Sequence, residues 1–158
     1  MTLSENPGRL KRFRHTSRKF QETFVTPHEN LQVFVSEIIS ARHPFESGCL
    51  TLDQGVFEPR NLISLLNGYS IAPRYGRGWS ISATGPQEME AVLYSAFRDA
   101  VDFIFVPRPS PFALFADHDE YATFYAHSRS NLNQILENLA ARGFQPVRNY
   151  EGPTPKGN

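Results

Sequence analysis

The stretch FALFADHDEYATFYA at residues 112–126 constrains this chain more than any other. Its aromatic and β-branched residues on either side of an Asp-rich centre predict a hairpin, Phe112–Asp117 and Glu120–Ala126. With Asp117 paired to Glu120 across His118-Asp119, Ala116 faces Tyr121, Leu114 faces Thr123 and Phe112 faces Tyr125. One face then carries Phe112, Leu114, Ala116, Tyr121, Thr123 and Tyr125. The other carries Ala113, Phe115, Ala122, Phe124 and Ala126. A strand pair with one wet face alternates apolar with polar, and neither face does so here. Both need cover, from helices, a second copy or a partner.

The rest of the chain supplies helices and further strands. Thr26-Pro27-His28-Glu29 reads as a capping box, and Leu31, Phe34, Val35, Ile38 and Ile39 follow at helical spacing, predicting a helix over 27–42. Thr84-Gly85-Pro86-Gln87 repeats the capping logic before a stripe from Met89 to Val101, predicting a helix over 86–100. Asp99 and Asp102 sit at the wrong end of that helix for its dipole, so either another interaction holds them or they are solvated. A third helix is expected over 131–142, capped by Ser128 or Ser130 and ended by Gly143. A shorter one spans 59–67. Strands are expected at 49–52, 69–72, 79–82, 103–106 and 144–150. The prolines of Pro107-Arg108-Pro109-Ser110-Pro111 mark a stiff turn. The fold class is therefore α+β: a mainly antiparallel sheet with about three principal helices and a C-terminal half ordered ββαβ.

At 158 residues one domain is the expectation, here residues 21–151. A basic arm, residues 1–20, is free to flex before it, and a frayed tail, 152–158, follows. The zero net charge hides an asymmetry. The arm carries Arg9, Lys11, Arg12, Arg14, Arg18 and Lys19 against Glu5 alone, while residues 86–120 hold seven acids against Arg98 and Arg108. A single cysteine, Cys49, excludes a disulfide framework and a Cys-rich zinc site. No apolar run approaches the roughly 20 residues that span a bilayer, and the N-terminus lacks the apolar block of a signal peptide. A soluble, cytoplasmic chain without membrane contact is expected.

Two groups of residues are candidates for chemistry or binding. Asp117, His118, Asp119 and Glu120 are the densest ionisable group and could serve as acid/base or metal ligands, although Asp-rich turns also form for backbone reasons. His118 and His127 are nine residues apart, up to ~30 Å along a strand, so they are not expected to share a metal. The loop Arg74-Tyr75-Gly76-Arg77-Gly78-Trp79 offers Arg74, Arg77 and Trp79 as interface anchors, with Tyr121 and Tyr125 adding a second surface. No phosphate loop, nucleophile elbow or paired zinc histidines occur.

The favoured expectation is a non-catalytic protein-binding domain: an inhibitor, an adaptor or a homodimeric interaction protein. It needs no cofactor and no metal. The alternative is a small enzyme or ligand-binding domain built on the Asp117–Glu120 turn. The third reading is nucleic-acid binding through the Arg-rich arm.

Overall fold

The computed structural model describes residues 1–16, 19–40 and 44–150. Among them, seven strands form one antiparallel sheet in the order β1-β4-β3-β5-β6-β7-β2. In chain order they are β1 (Thr2–Glu5), β2 (Phe20–Val25), β3 (Ser47–Gln54), β4 (Trp79–Thr84), β5 (Asp102–Arg108), β6 (Ala113–Ala116) and β7 (Tyr121–Ala126). Five α-helices accompany them: α1 (Gly8–His15), α2 (Leu31–Ile39), α3 (Arg60–Gly68), α4 (Gly85–Arg98) and α5 (Arg129–Ala141). The α+β class and the antiparallel sheet are those expected.

Alternation along each strand gives the sheet one apolar face and one mixed face, apolar mainly on β5 and β6. Leu50, Ile81, Phe103, Phe105, Leu114 and Phe124 point to the first face and join one buried cluster with Leu31, Phe34, Leu62, Val92, Leu93 and Leu132 of α2 to α5. Its centre is aromatic: Phe34 meets Phe24, Phe97, Phe124 and Phe144 edge to face at 5.2–6.4 Å. Gly48 lets β3 approach this layer, since a Cβ there would lie 2.5 Å from the Phe105 ring.

The second face is covered by α1. Leu10 is buried, and Phe13 stacks on Phe115 at 6.4 Å and meets Tyr125 edge-on at 5.7 Å. Buried hydroxyls beneath it pair across strands, Thr23 with Thr123 and Thr51 with Ser80, each at 2.8 Å, so the small polar residues of this face are satisfied. Thr2–Glu5 and Gly8–His15 of the basic arm thus pack on the sheet: β1 is an edge strand on β4, and α1 supplies the second layer.

Four sequence expectations change. First, the hairpin register shifts by one: Ala116 faces Ala122, Phe115 faces Thr123 and Ala113 faces Tyr125. The turn has three residues, His118-Asp119-Glu120, with Glu120 in the left-handed region at φ 68° and the Asp117 N–H bonded to the Tyr121 carbonyl. The true faces are therefore Leu114, Ala116, Ala122, Phe124 and Ala126 against Ala113, Phe115, Tyr121, Thr123 and Tyr125, as a one-residue slip requires.

Second, residues 144–150 form no strand, so the chain ends ββα. Pro146 lacks an N–H, and Asn149 turns left-handed at φ 58°. The segment crosses the outer edge of β2 instead, with the Val147 N–H on the Thr23 carbonyl, Phe144 on Phe34 and Tyr150 on Tyr121.

Third, residues 69–72 form no strand, because Ser70 at φ 58° closes α3 with the Ile71 N–H on the Leu66 carbonyl. Fourth, the helix expected over 27–42 is a short 3₁₀ turn, His28–Asn30, followed by α2, and no side chain caps either. Its expected end near Arg42 and the 152–158 tail lie outside the described residues.

The capping of α4 also differs in detail. Glu88, not Gln87, returns to the Thr84 N–H at 2.8 Å. That bond and then the Met1 amine hold the Glu88 carboxyl below its ordinary value.

Gly48→Ala is expected to cost about 1–3 kcal/mol, because the Phe105 ring has no room to yield among its neighbours. Urea denaturation measures it, with an unchanged slope marking a pure stability loss.

Candidate functional site

Antiparallel pairing gathers one set of connections at a single end of the sheet, and both sequence-nominated groups lie there. The β3–α3 loop and the α3–β4 loop border a groove of about 650 Å³ lined by Arg14, Asp53, Phe57, Tyr75, Arg77 and Val101, among others. The second loop is stitched down by backbone bonds: the Gly78 N–H donates to the Leu52 carbonyl, and the Asn6 N–H donates to the Gly78 carbonyl, each at 2.8 Å. Gly78 is left-handed at φ 87°, with Pro7 where a side chain would stand.

Asp53 organises the charge of this groove. Both of its oxygens accept from Arg14 Nη2, at 2.8 and 3.2 Å, and Arg77 Nε lies 3.1 Å from Oδ1. One carboxylate thus holds two guanidiniums, and each keeps other N–H groups at a half-exposed surface. Beside them Phe57 is 73% exposed and Tyr75 43%.

Across the same end lies the acidic turn. The carboxylate of Asp102 accepts both the His118 backbone N–H and the His118 ring Nδ1–H, each at 2.8 Å. This bond to Asp102 pulls the His118 pKa above the ordinary 6.5. Asp117 turns instead to the Tyr121 N–H at 3.0 Å, and its carboxyl is pushed up, mainly by burial. Glu120 reaches His28 at 3.2 Å. Burial also pushes the Tyr150 hydroxyl up to about 12 as its ring lies on Tyr121.

No family model, curated protein or solved structure matches the chain. What its site does has to come from its own geometry.

The four acid/base candidates form no single centre: the His118 ring lies between Asp102, at 2.8 Å, and the exposed Asp119, at 3.8 Å, while Asp117 turns to the Tyr121 N–H and Glu120 to His28. Among the described residues no group of three or more His, Cys, Asp or Glu side chains is placed to hold a metal ion. Of the binding candidates, Arg77 lines the groove and Arg74 is exposed on the same loop. Trp79 packs partly buried against the core. Tyr121 and Tyr125 sit on the second face under Tyr150 and Phe13. Sequence reasoning missed Asp53 and Phe57, placed Arg14 in a basic arm rather than in this groove, and left Asp102 without a partner. The signal for Asp102 was present in its wrong-end position after α4. Asp99, flagged on the same ground, caps α3 through the Asn61 and Leu62 N–H groups. No helix among the described residues is long and apolar enough to cross a membrane.

The His118 pair predicts a pH dependence of stability. A histidine whose pKa is raised by folding contributes stability that is fully present below its unfolded value and lost as pH rises through the folded one. His118→Gln is therefore expected to be destabilising below pH 6.5, with the deficit shrinking as alkali discharges the wild-type ring. Denaturation of both proteins from acid to alkaline pH measures the difference, and a deficit independent of pH contradicts the assignment.

Proposed function

We propose that the chain is a non-catalytic protein-binding domain whose contact surface is the groove beside α3. One observation carries this reading. Of the six large apolar side chains exposed among the described residues, four, Val56, Phe57, Tyr69 and Tyr75, belong to the segments flanking α3. Two of them, Phe57 and Tyr75, line a single concavity together with Arg14 and Arg77. Aromatic and arginine side chains around a concave, partly apolar centre are the composition of interface hot spots. The fold needs none of these exposed rings for its core. The partly buried Tyr121 and Tyr125 contribute rigidity through their stacking rather than a second contact surface.

A photoreactive residue at position 57, with position 33 on α2 as an equally apolar exposed control, tests this in the native host. Capture at 57 and not at 33 is expected. The purified partner should then bind the Phe57→Ser and Tyr75→Ser variants at least about 30-fold more weakly, the effect of losing a hot spot of ~2 kcal/mol. Equal capture at both positions overturns the reading.

A second reading rests on the His118–Asp102 pair. A carboxylate on Nδ1 fixes the ring orientation that a general base uses. It would make the acidic turn an acid/base site, and a substrate-turnover screen of wild type against His118→Gln tests it.

A further inference from the structure

The end of the sheet that holds the groove is electrically divided. In the order β1-β4-β3-β5-β6-β7-β2, Arg14 and Arg77 line the groove at β3 and β4, where Asp53 stands between them and Glu58 of the β3–α3 loop is offset by Arg60, and Asp119 and Glu120 lie in the turn that joins β6 to β7. The two groups are separated by two or three strand spacings, roughly 10–15 Å. A two-fold axis lying across the middle of this end, perpendicular to the sheet, carries a second copy into place. Its acidic turn then faces the first copy's arginines, and its arginines face the first copy's turn. A two-fold contact needs only that one patch be complementary to itself, and this end is.

We propose that the partner is a second copy of this chain, docked end to end, with each Asp119–Glu120 turn seated against the other copy's Arg14–Arg77 groove. The proposal rests on the protein-binding reading and names the occupant of that surface. Three features argue for it. The donors are held in place: Asp53 pins both guanidiniums before any partner arrives, which lowers the side-chain entropy lost on docking. The acceptors protrude: Asp119, 3.8 Å from the His118 ring, is still 77% exposed at the tip of the hairpin, and Glu120 beside it, on His28, is 58% exposed. Phe57 and Tyr75, exposed in the lining of the arginine groove, supply an apolar component that charge pairs alone would lack.

The size also fits a reversible dimer. Seven strands at ~4.8 Å by the thickness of sheet plus helices give a face of roughly 30 by 20 Å, or about 1,200 Å² buried in all. That is the lower end of the range for specific association, so a micromolar equilibrium weakened by salt is expected.

Sedimentation of the full chain from about 1 to about 200 µM, at low and at high salt, reads the equilibrium directly. Wild type should dimerise at low salt and dissociate as salt rises. Arg77→Glu alone and Asp119→Arg alone should each weaken the dimer at least about tenfold. Both positions are exposed, and the thermal midpoint of each variant confirms folding.

An equimolar mixture of the two variants is the decisive arm. A mixed dimer has one native contact between Arg77 and Asp119 and a second in which the two charges have exchanged places. Both contacts are then attractive, provided that positions 77 and 119 meet across the two chains, so the mixture should recover the wild-type affinity. A monomeric wild type, or a dimer that the mixture fails to restore, overturns the proposal. If wild type stays monomeric while position 57 captures a different protein, self-pairing fails and the protein-binding reading stands. If neither occurs, both fall.

Discussion

Covering both faces of the sheet is the constraint on which the rest of this structure depends. A seven-stranded sheet whose central strands are apolar on both sides cannot stand with one side in water. Four helices bury the first side in a conventional way, with Phe34 at the middle of an aromatic cluster. The second side is closed by a helix of eight residues that carries only Leu10 and Phe13 as its inward pair. That economy works because the second face is itself half polar. Thr23, Thr51, Ser80 and Thr123 bond one another in pairs, so α1 has to shield Ile104, Phe115 and Tyr125 rather than a whole apolar plane.

Much of this was legible, and the illegible parts have physical causes. Helices α2, α4 and α5 show a long apolar stripe, which local sequence displays in full. Within the hairpin the alternation along each strand was right, and the pairing between strands was not. Register is set by turn geometry, and the left-handed third residue of this turn is Glu120, where a glycine or asparagine would have announced it. The end of α3 was hidden in the same way, because Ser70 takes the left-handed position there. Helix α1 and strand β1 went unread because six basic residues in twenty resemble a solvated arm. The i, i+3 spacing of Leu10 and Phe13 was the one clue to a buried side. Strand β2 went unread because no turn signal precedes it, and only its first residue, Phe20, falls in that arm.

The candidate site was half legible for a related reason. Sequence nominates residues by local density, and it found both the Arg74–Trp79 loop and the Asp117–Glu120 turn. It does not reveal which distant residue completes each. Asp53 and Arg14 reach the groove from β3 and α1, 39 positions apart. Asp102 reaches His118 across the β5–β6 pairing. The dipole rule came nearest: two acids at the wrong end of α4 left either a distant partner or solvation open, and each has a partner, Asp99 at the α3 N-terminus and Asp102 at His118.

Net charge is the property that misleads most here. A value of zero suggests an electrically bland surface, yet antiparallel topology sorts the charges by where each strand turns. A basic segment that reaches β3 and an acidic segment that spans β5 to β7 are brought to the same end of one sheet, on opposite halves of it. Each half also neutralises part of itself: Asp53 sits among arginines, and His118 and His28 sit among acids. What remains exposed is one surplus of each sign at the tips of two loops. A surface with opposite surpluses on its two halves is matched on both by its own rotated image, whereas a uniform polyanion or polycation matches one half only.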